Sequence, residues 1–284
     1  MTKLLQNRAA TISVIVTDQN GTPVDATANP TVVVRDGGGT QIASGASTKP
    51  VGTTGTYEFG LTPPQTAVLD SCSAVWSYTR DGSAEQTTTA FEVVGGFYFS
   101  IAEAREFDNA AMGDTSRYPA SVIAAGRELV EDHIEYLCGV AFVPRATRVV
   151  IDGTDDSVLV ALTRPREILS ASIDDVALTS GQLANIAIYP EGRLVYPSWI
   201  AGELNVKIHV VHGHDEPPEP IKRAALILLR NRLVASNIDD RAVAFTDELG
   251  TRQLAVAGRR GQPTGIPDVD AAIAQYSERA PIAG

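Results

Sequence analysis

Cysteine is nearly absent: the chain has 284 residues and two cysteines, Cys72 and Cys138. They fall in segments that read as different domains, so a disulfide framework is excluded and a reducing cytosol is acceptable. No apolar run is long enough to span a bilayer, which excludes a transmembrane helix. The opening MTKLLQNRAATISV carries no apolar stretch of signal-peptide length, so a secretory route is not expected. Positive charge is short as well: 23 Lys and Arg stand against 34 Asp and Glu, a net charge of −11, with no basic stripe. Such a chain is poorly suited to sheathing DNA phosphates. The same balance does not exclude lining a passage through which DNA slides without sticking. Catalytic signatures are missing too, since no GxSxG, HExxH, P-loop or helix-leading GxGxxG occurs. What is present, 44% hydrophobic and 20% charged residues, is the make-up of a globular protein with an ample core.

The chain changes character near Gly95-Gly96. Before that point it reads as strands. Thr11 to Thr17 alternates and runs into the turn Asn20-Gly21; Thr31 to Val34 is a β-branched run closed by Asp36-Gly37-Gly38-Gly39. Thr56 to Phe59 is a further short strand. Ala74–Tyr78 and Thr87–Val94 flank Asp81-Gly82, a hairpin signal. Leu61 to Gln65 starts a helical turn, and the Gly, Thr and Ser of 36–56 read as loops. The pattern predicts an antiparallel β-sandwich of immunoglobulin-like type over residues 1–96, with Trp76 as its central aromatic.

After Gly96 helices are expected. Ser100 to Glu103 has capping-box spacing, and a short helix continues to Phe107. Pro119 opens a long one that Gly139 stops, with Val122, Gly126, Leu129, Val130, His133, Ile134 and Leu137 as its apolar stripe. A β-rich insertion follows at about 145–212. A second long helix, IKRAALILLRNRLVAS, comes after Pro220 and is apolar on several sides. The tail holds a strand near Thr251–Ala257, a polar loop from Arg259 to Gly265 and a helix opened by Pro267, with Val269, Ile273 and Tyr276 on one face. That helix has little apolar surface and needs something to pack on. The fold class is therefore α+β in two domains: a sandwich, 1–96, and a helical domain with a β insertion, 97–244, followed by a C-terminal strand, loop and helix, 245–284.

Candidate chemistry is sparse. His209, His212 and His214, followed by Asp215 and Glu216, are the residues nearest to a zinc set. On a strand, however, His209 and His212 point to opposite faces, so a bulge would be needed. A strand end running into a solvated loop is the plainer reading. His133 is expected partly buried, and Glu128, Glu131, Asp132 and Glu135 are expected on a solvated helix face. Asp152, Asp155 and Asp156 lack the order of a calcium loop and read as a hairpin turn. Cys138 reads as a small core residue.

The order of elements carries more. A long helix from Pro119, a β-rich block, VKIHVVHG, the link EPPEP and the helix IKRAALILLRNRL resemble the head–tail connector, or head-to-tail adaptor, proteins of long-tailed bacteriophages. The run DELGTRQLAVAGRRGQPTGIPDVDAAIAQY is similar to tails of adaptors from phages of actinobacteria. The resemblance covers about residues 97–284; the N-terminal sandwich departs from the compact members and looks like an added domain. It implies a structural virion protein, not an enzyme, without metal or other cofactor and without membrane contact. It implies a ring, usually of twelve copies, between the portal protein and the next neck or tail-completion protein. The ring would be made in the host cytoplasm, sit at the head–tail junction and extend the DNA channel. The family's C-terminal segments reach toward the portal, which puts Phe245, Leu249, Arg259, Arg260, Pro263, Pro267 and Val269 among the expected interface residues. Two other readings stay open: a β-rich virion decoration or surface-binding protein, and a metal-dependent enzyme at His209, His212 and His214.

Overall fold

A computed structural model describes residues 1–160, 164–234, 244–247, 250–253 and 263–277. The chain opens with strands β1 (Thr2–Leu5), β2 (Ala10–Ile15), β3 (Thr31–Arg35), β4 (Gln41–Ala46), β5 (Thr56–Leu61), β6 (Asp70–Arg80) and β7 (Ser83–Val94). A 3₁₀ turn at Pro63–Thr66 occupies the expected place between strands. Helices α1 (Ile101–Ala110) and α2 (Ala120–Cys138) follow. Next come β8 (Arg145–Gly153), β9 (Asp156–Val160), β10 (Pro165–Ile173), β11 (Val176–Ala177), the short α3 (Ser180–Ala184), β12 (Ala187–Ile188), β13 (Arg193–Trp199) and β14 (Gly202–His212). The chain ends with α4 (Glu219–Leu233), β15 (Ala244–Asp247), β16 (Gly250–Gln253) and α5 (Pro267–Tyr276). The protein is thus mixed α and β, with several antiparallel sheets, in keeping with the α+β class. No described helix is long and apolar enough to cross a membrane.

In the N-terminal part a five-stranded sheet runs β1-β7-β6-β3-β4, and β2 pairs with β5. The inward residues of both sheets join one apolar cluster that includes Val14, Val34, Tyr57 and the fully buried Trp76. The Trp76 indole N–H donates to Thr89 Oγ1 at 2.9 Å. Asp81 and Gly82 close the β6–β7 hairpin with φ of 50° and 81°, as a primed turn requires. Two expectations need correction. The arrangement is not wholly antiparallel, because β1 runs parallel to β7 at the sheet's edge. Nor is 36–56 all loop: β4 pairs with β3, Ala43 facing Val34. Its Ala-Ser-Gly composition has weak strand propensity, and pairing with β3 supplies what propensity lacks.

In the middle part β11-β10-β14-β8 form one sheet and β12-β13-β9 another. They share a cluster around Leu194, Trp199, Val206 and Ile208. The Asp152-to-Asp156 stretch is not a hairpin turn, because β8 pairs with β14 and β9 with β13, in separate sheets. It is a crossing between sheets, and Asp152 accepts the Leu204 N–H across it at 2.6 Å.

The helices form the third core. Ser100 caps α1 with the expected box to Glu103. Regular helical angles end before Phe107, since Asp108 and Asn109 are left-handed. Gly139 ends α2 at φ 71°. Helices α2, α4 and α5 pack together through Ile123, Ile134, Ile221, Leu229, Val269 and Ile273. Pro220 lies inside the first turn of α4, where it forfeits no helical hydrogen bond.

Candidate functional site

Helix α2 carries the largest departure from the sequence reading. The buried line is Ile123, Gly126, Arg127, Val130, Glu131, Ile134 and Cys138. Val122, Leu129 and His133, expected on the buried stripe, are exposed. The helix is rolled so that Arg127, Glu131 and Glu135 turn inward, along the ridge that a four-residue step draws from Ile123. Cations from distant segments meet them there. Lys3 Nζ, on β1, lies 3.2 Å from Glu131 and 2.9 Å from Asp132. Glu128 accepts the Lys3 backbone N–H. Arg145, opening β8, bridges Glu135 of α2 and Glu92 of β7, its Nε donating to Glu92 at 2.7 Å. Tyr98 donates its backbone N–H to Glu131 and its hydroxyl to Glu135.

Burial and charge compete in this group. Burial pulls the Lys3 ammonium down, but the carboxylates of Glu135 and Glu131 outweigh it and hold it above its ordinary value. Burial pushes Glu135 up against the pull of Arg145, and pushes Glu131 up against Lys3. Burial, then Glu135, pushes the Tyr98 phenol up. The network is a charged clasp joining β1, β7, α2 and β8. In the sequence these carboxylates read as a solvated helix face. The signal available was the i, i+4 pair Arg127–Glu131; nothing local announces Lys3, which is 128 residues from Glu131.

The histidines do not converge. His209 faces β6, with Nε2 3.4 Å from Asp70. His212, three positions further along β14, pairs with Arg145 of β8, and His214 stacks on Phe142 with ring centroids 5.1 Å apart. Among the described residues no group of three His, Cys, Asp or Glu side chains is placed to hold a metal ion. Asp70 is itself well occupied: it accepts from Gly37 N, Ser71 N and Arg148 Nη2. Burial lowers His209 despite the Asp70 carboxylate, and burial with Arg145 takes His212 down to about 4. Burial raises the thiols of Cys72 and Cys138 to about 12 and about 11, so neither is an activated nucleophile.

The C-terminal residues expected at an interface fall in different settings. Phe245 pairs with Arg252 in the β15–β16 hairpin. Leu249, Arg259 and Arg260 lie outside the described residues. Pro263 is half-buried and Pro267 is exposed at the start of α5. Val269 is fully buried within the helical core of its own chain, so in this arrangement it holds α5 to α2 and α4 and has no surface to offer a partner. No protein-family model matches the chain, and no curated protein matches it.

Proposed function

We propose that the chain is a structural virion protein, a head-to-tail adaptor. Copies would form a ring between the portal protein and the next neck or tail-completion protein, and DNA would pass through the ring without specific binding. The observation that carries this reading is the order of elements from α2 to α5: a long helix, a β-rich block, a strand ending in a Gly-containing loop, prolines, an apolar helix and a final helix folded back on both. That order supports the resemblance noted in the sequence. The acidic balance, −11 overall, suits a channel that must not grip phosphate. We read residues 1–96 as an added immunoglobulin-like sandwich, in which β2 and β5 cover the five-stranded sheet over Trp76. The protein acts by assembly and has no catalytic site. A closed ring of identical copies needs two different side faces on each, and side contacts of that kind do not require an enzyme's cleft.

The test is immunogold electron microscopy of particles from a lysate that contains this protein. Gold at the head–tail junction is the expected result. Gold on the capsid surface or the tail tip replaces the adaptor with a decoration or adhesion protein. No gold on intact or disrupted particles removes the virion assignment altogether.

A further inference from the structure

A cavity of about 710 Å³ opens where the segment entering α1 meets the link entering α4. Arg127 of α2 lines it, and its side chain is only 8% exposed. Nη1 donates to the Phe99 carbonyl at 3.0 Å, and the guanidinium lies over the Phe97 ring, 3.4 Å from its centroid. Its nearest carboxylate is Glu131, 4.0 Å from Nε. That carboxylate is already engaged by Lys3 and by the Tyr98 N–H. The Nε–H has no hydrogen-bond partner and no accessible surface, so an occupant of the cavity meets the guanidinium at its outer edge. Arginine stays charged at any pH the protein meets and offers five donors in a flat fork. A desolvated cation short of both an anion and acceptors is costly to keep unless something completes it.

We propose that this cavity binds a carboxylate carried on an apolar, ring-sized stem. The fork of Arg127 matches a carboxylate in plane. Leu5, Phe99, Ile101 and Pro217 supply apolar walls for the stem. The rim selects against higher charge. Lys222 is neutralised by Glu103, while Glu216 and Glu219 stand exposed at the opening and repel a phosphate dianion more strongly than a single carboxylate. The carboxylate can belong to a free carboxylic acid or to the C-terminal end of a protein. The site stands whether or not the chain forms a ring.

The test is NMR titration of the full chain, labelled so that the Arg127 Nε–H resonance is followed. The probes are 3-phenylpropionate, its alcohol 3-phenylpropanol, inorganic phosphate and N-acetyl-phenylalanine. The expected result is a saturable shift of the Arg127 signal with 3-phenylpropionate and none with phosphate. The alcohol should bind at least about tenfold more weakly, because it cannot use the charged fork. N-acetyl-phenylalanine binding tighter than 3-phenylpropionate assigns the source to a protein end; equal binding assigns it to a free acid. Arg127→Lys keeps the charge, loses the fork and should weaken 3-phenylpropionate by about tenfold. Equal responses to acid and alcohol, or no saturable shift in the unaltered protein, overturn the proposal even where Arg127→Lys fails to fold.

Discussion

His212 sits at the end of β14 with its imidazole held down to about 4, against an ordinary 6.5, by burial first and Arg145 second. Between those two values the unfolded chain binds more protons than the folded one, so the contribution of His212 to stability is present above pH 6.5 and lost as pH falls toward 4. Glu131 and Glu135, raised by burial, act with the opposite sign above their ordinary value of 4.5. The difference between proteins therefore isolates the histidine. His212→Gln should flatten the fall of melting temperature between pH 6.5 and 4 relative to the wild type, and parallel curves would show that His212 is not the group responsible. The two thiols give a second residue-scale expectation. Both are buried and both have raised pKa values, so at pH 8 a colorimetric thiol reagent should modify neither in the folded chain and both after denaturation. Rapid reaction of either in the native protein would contradict its placement.

At the scale of elements, the crossing of α2 and α4 rests on a missing side chain. A Cβ added at Gly126 would come within 2.6 Å of Leu229 Cδ1, and Leu229 is fully buried. Alanine there sets a helix-propensity gain of about 1 kcal/mol against that overlap, so the two nearly offset. Valine adds two methyl groups to a full site and should cost about 1–3 kcal/mol, read as a lower urea midpoint with unchanged slope. Unaltered stability of Gly126→Val would mean that the helices do not cross there. The same contact shows what was legible. The start of α2 at Pro119 and its stop at Gly139 are local backbone signals, and both lie where the sequence puts them. The buried face of α2 is legible only in part: Gly126, Val130 and Ile134 are buried as the stripe predicts. Val122 and Leu129 look like core because they are apolar, yet the ridge through Glu131 and Glu135 is the one that finds partners. Helix α5 was expected to need a surface to pack on. It has one in its own chain, through Val269, Ala272 and Ile273.

For the whole molecule the decisive residue is Arg145, which ties β7, α2 and β8 through Glu92 and Glu135. Removing one partner from a buried pair leaves the others uncompensated, so Arg145→Met should cost about 3–5 kcal/mol in urea unfolding. Lys207→Gln, which breaks the exposed pair with Asp175, should leave the midpoint where it is. Equal effects of the two would show that the clasp is solvated. Within the N-terminal part, alternation and turn residues were enough to locate β2, β3, β5 and the β6–β7 hairpin. Caps and prolines located α1, α2, α4 and α5. That His209 and His212 do not converge also followed from strand period alone. These are properties of neighbours a few residues apart, so the sequence by itself determined them. The parallel seat of β1, the pairing that makes β4 a strand, the separation of β8 from β9 and the burial of Lys3, Glu131 and Glu92 were decided only in the tertiary structure. Each depends on groups far apart in the chain: Lys3 and Glu131 are 128 positions apart, and Arg145 and Glu92 are 53. A charged side chain reads the same on any helix face until the fold supplies the opposite charge, and that charge alone makes its burial affordable.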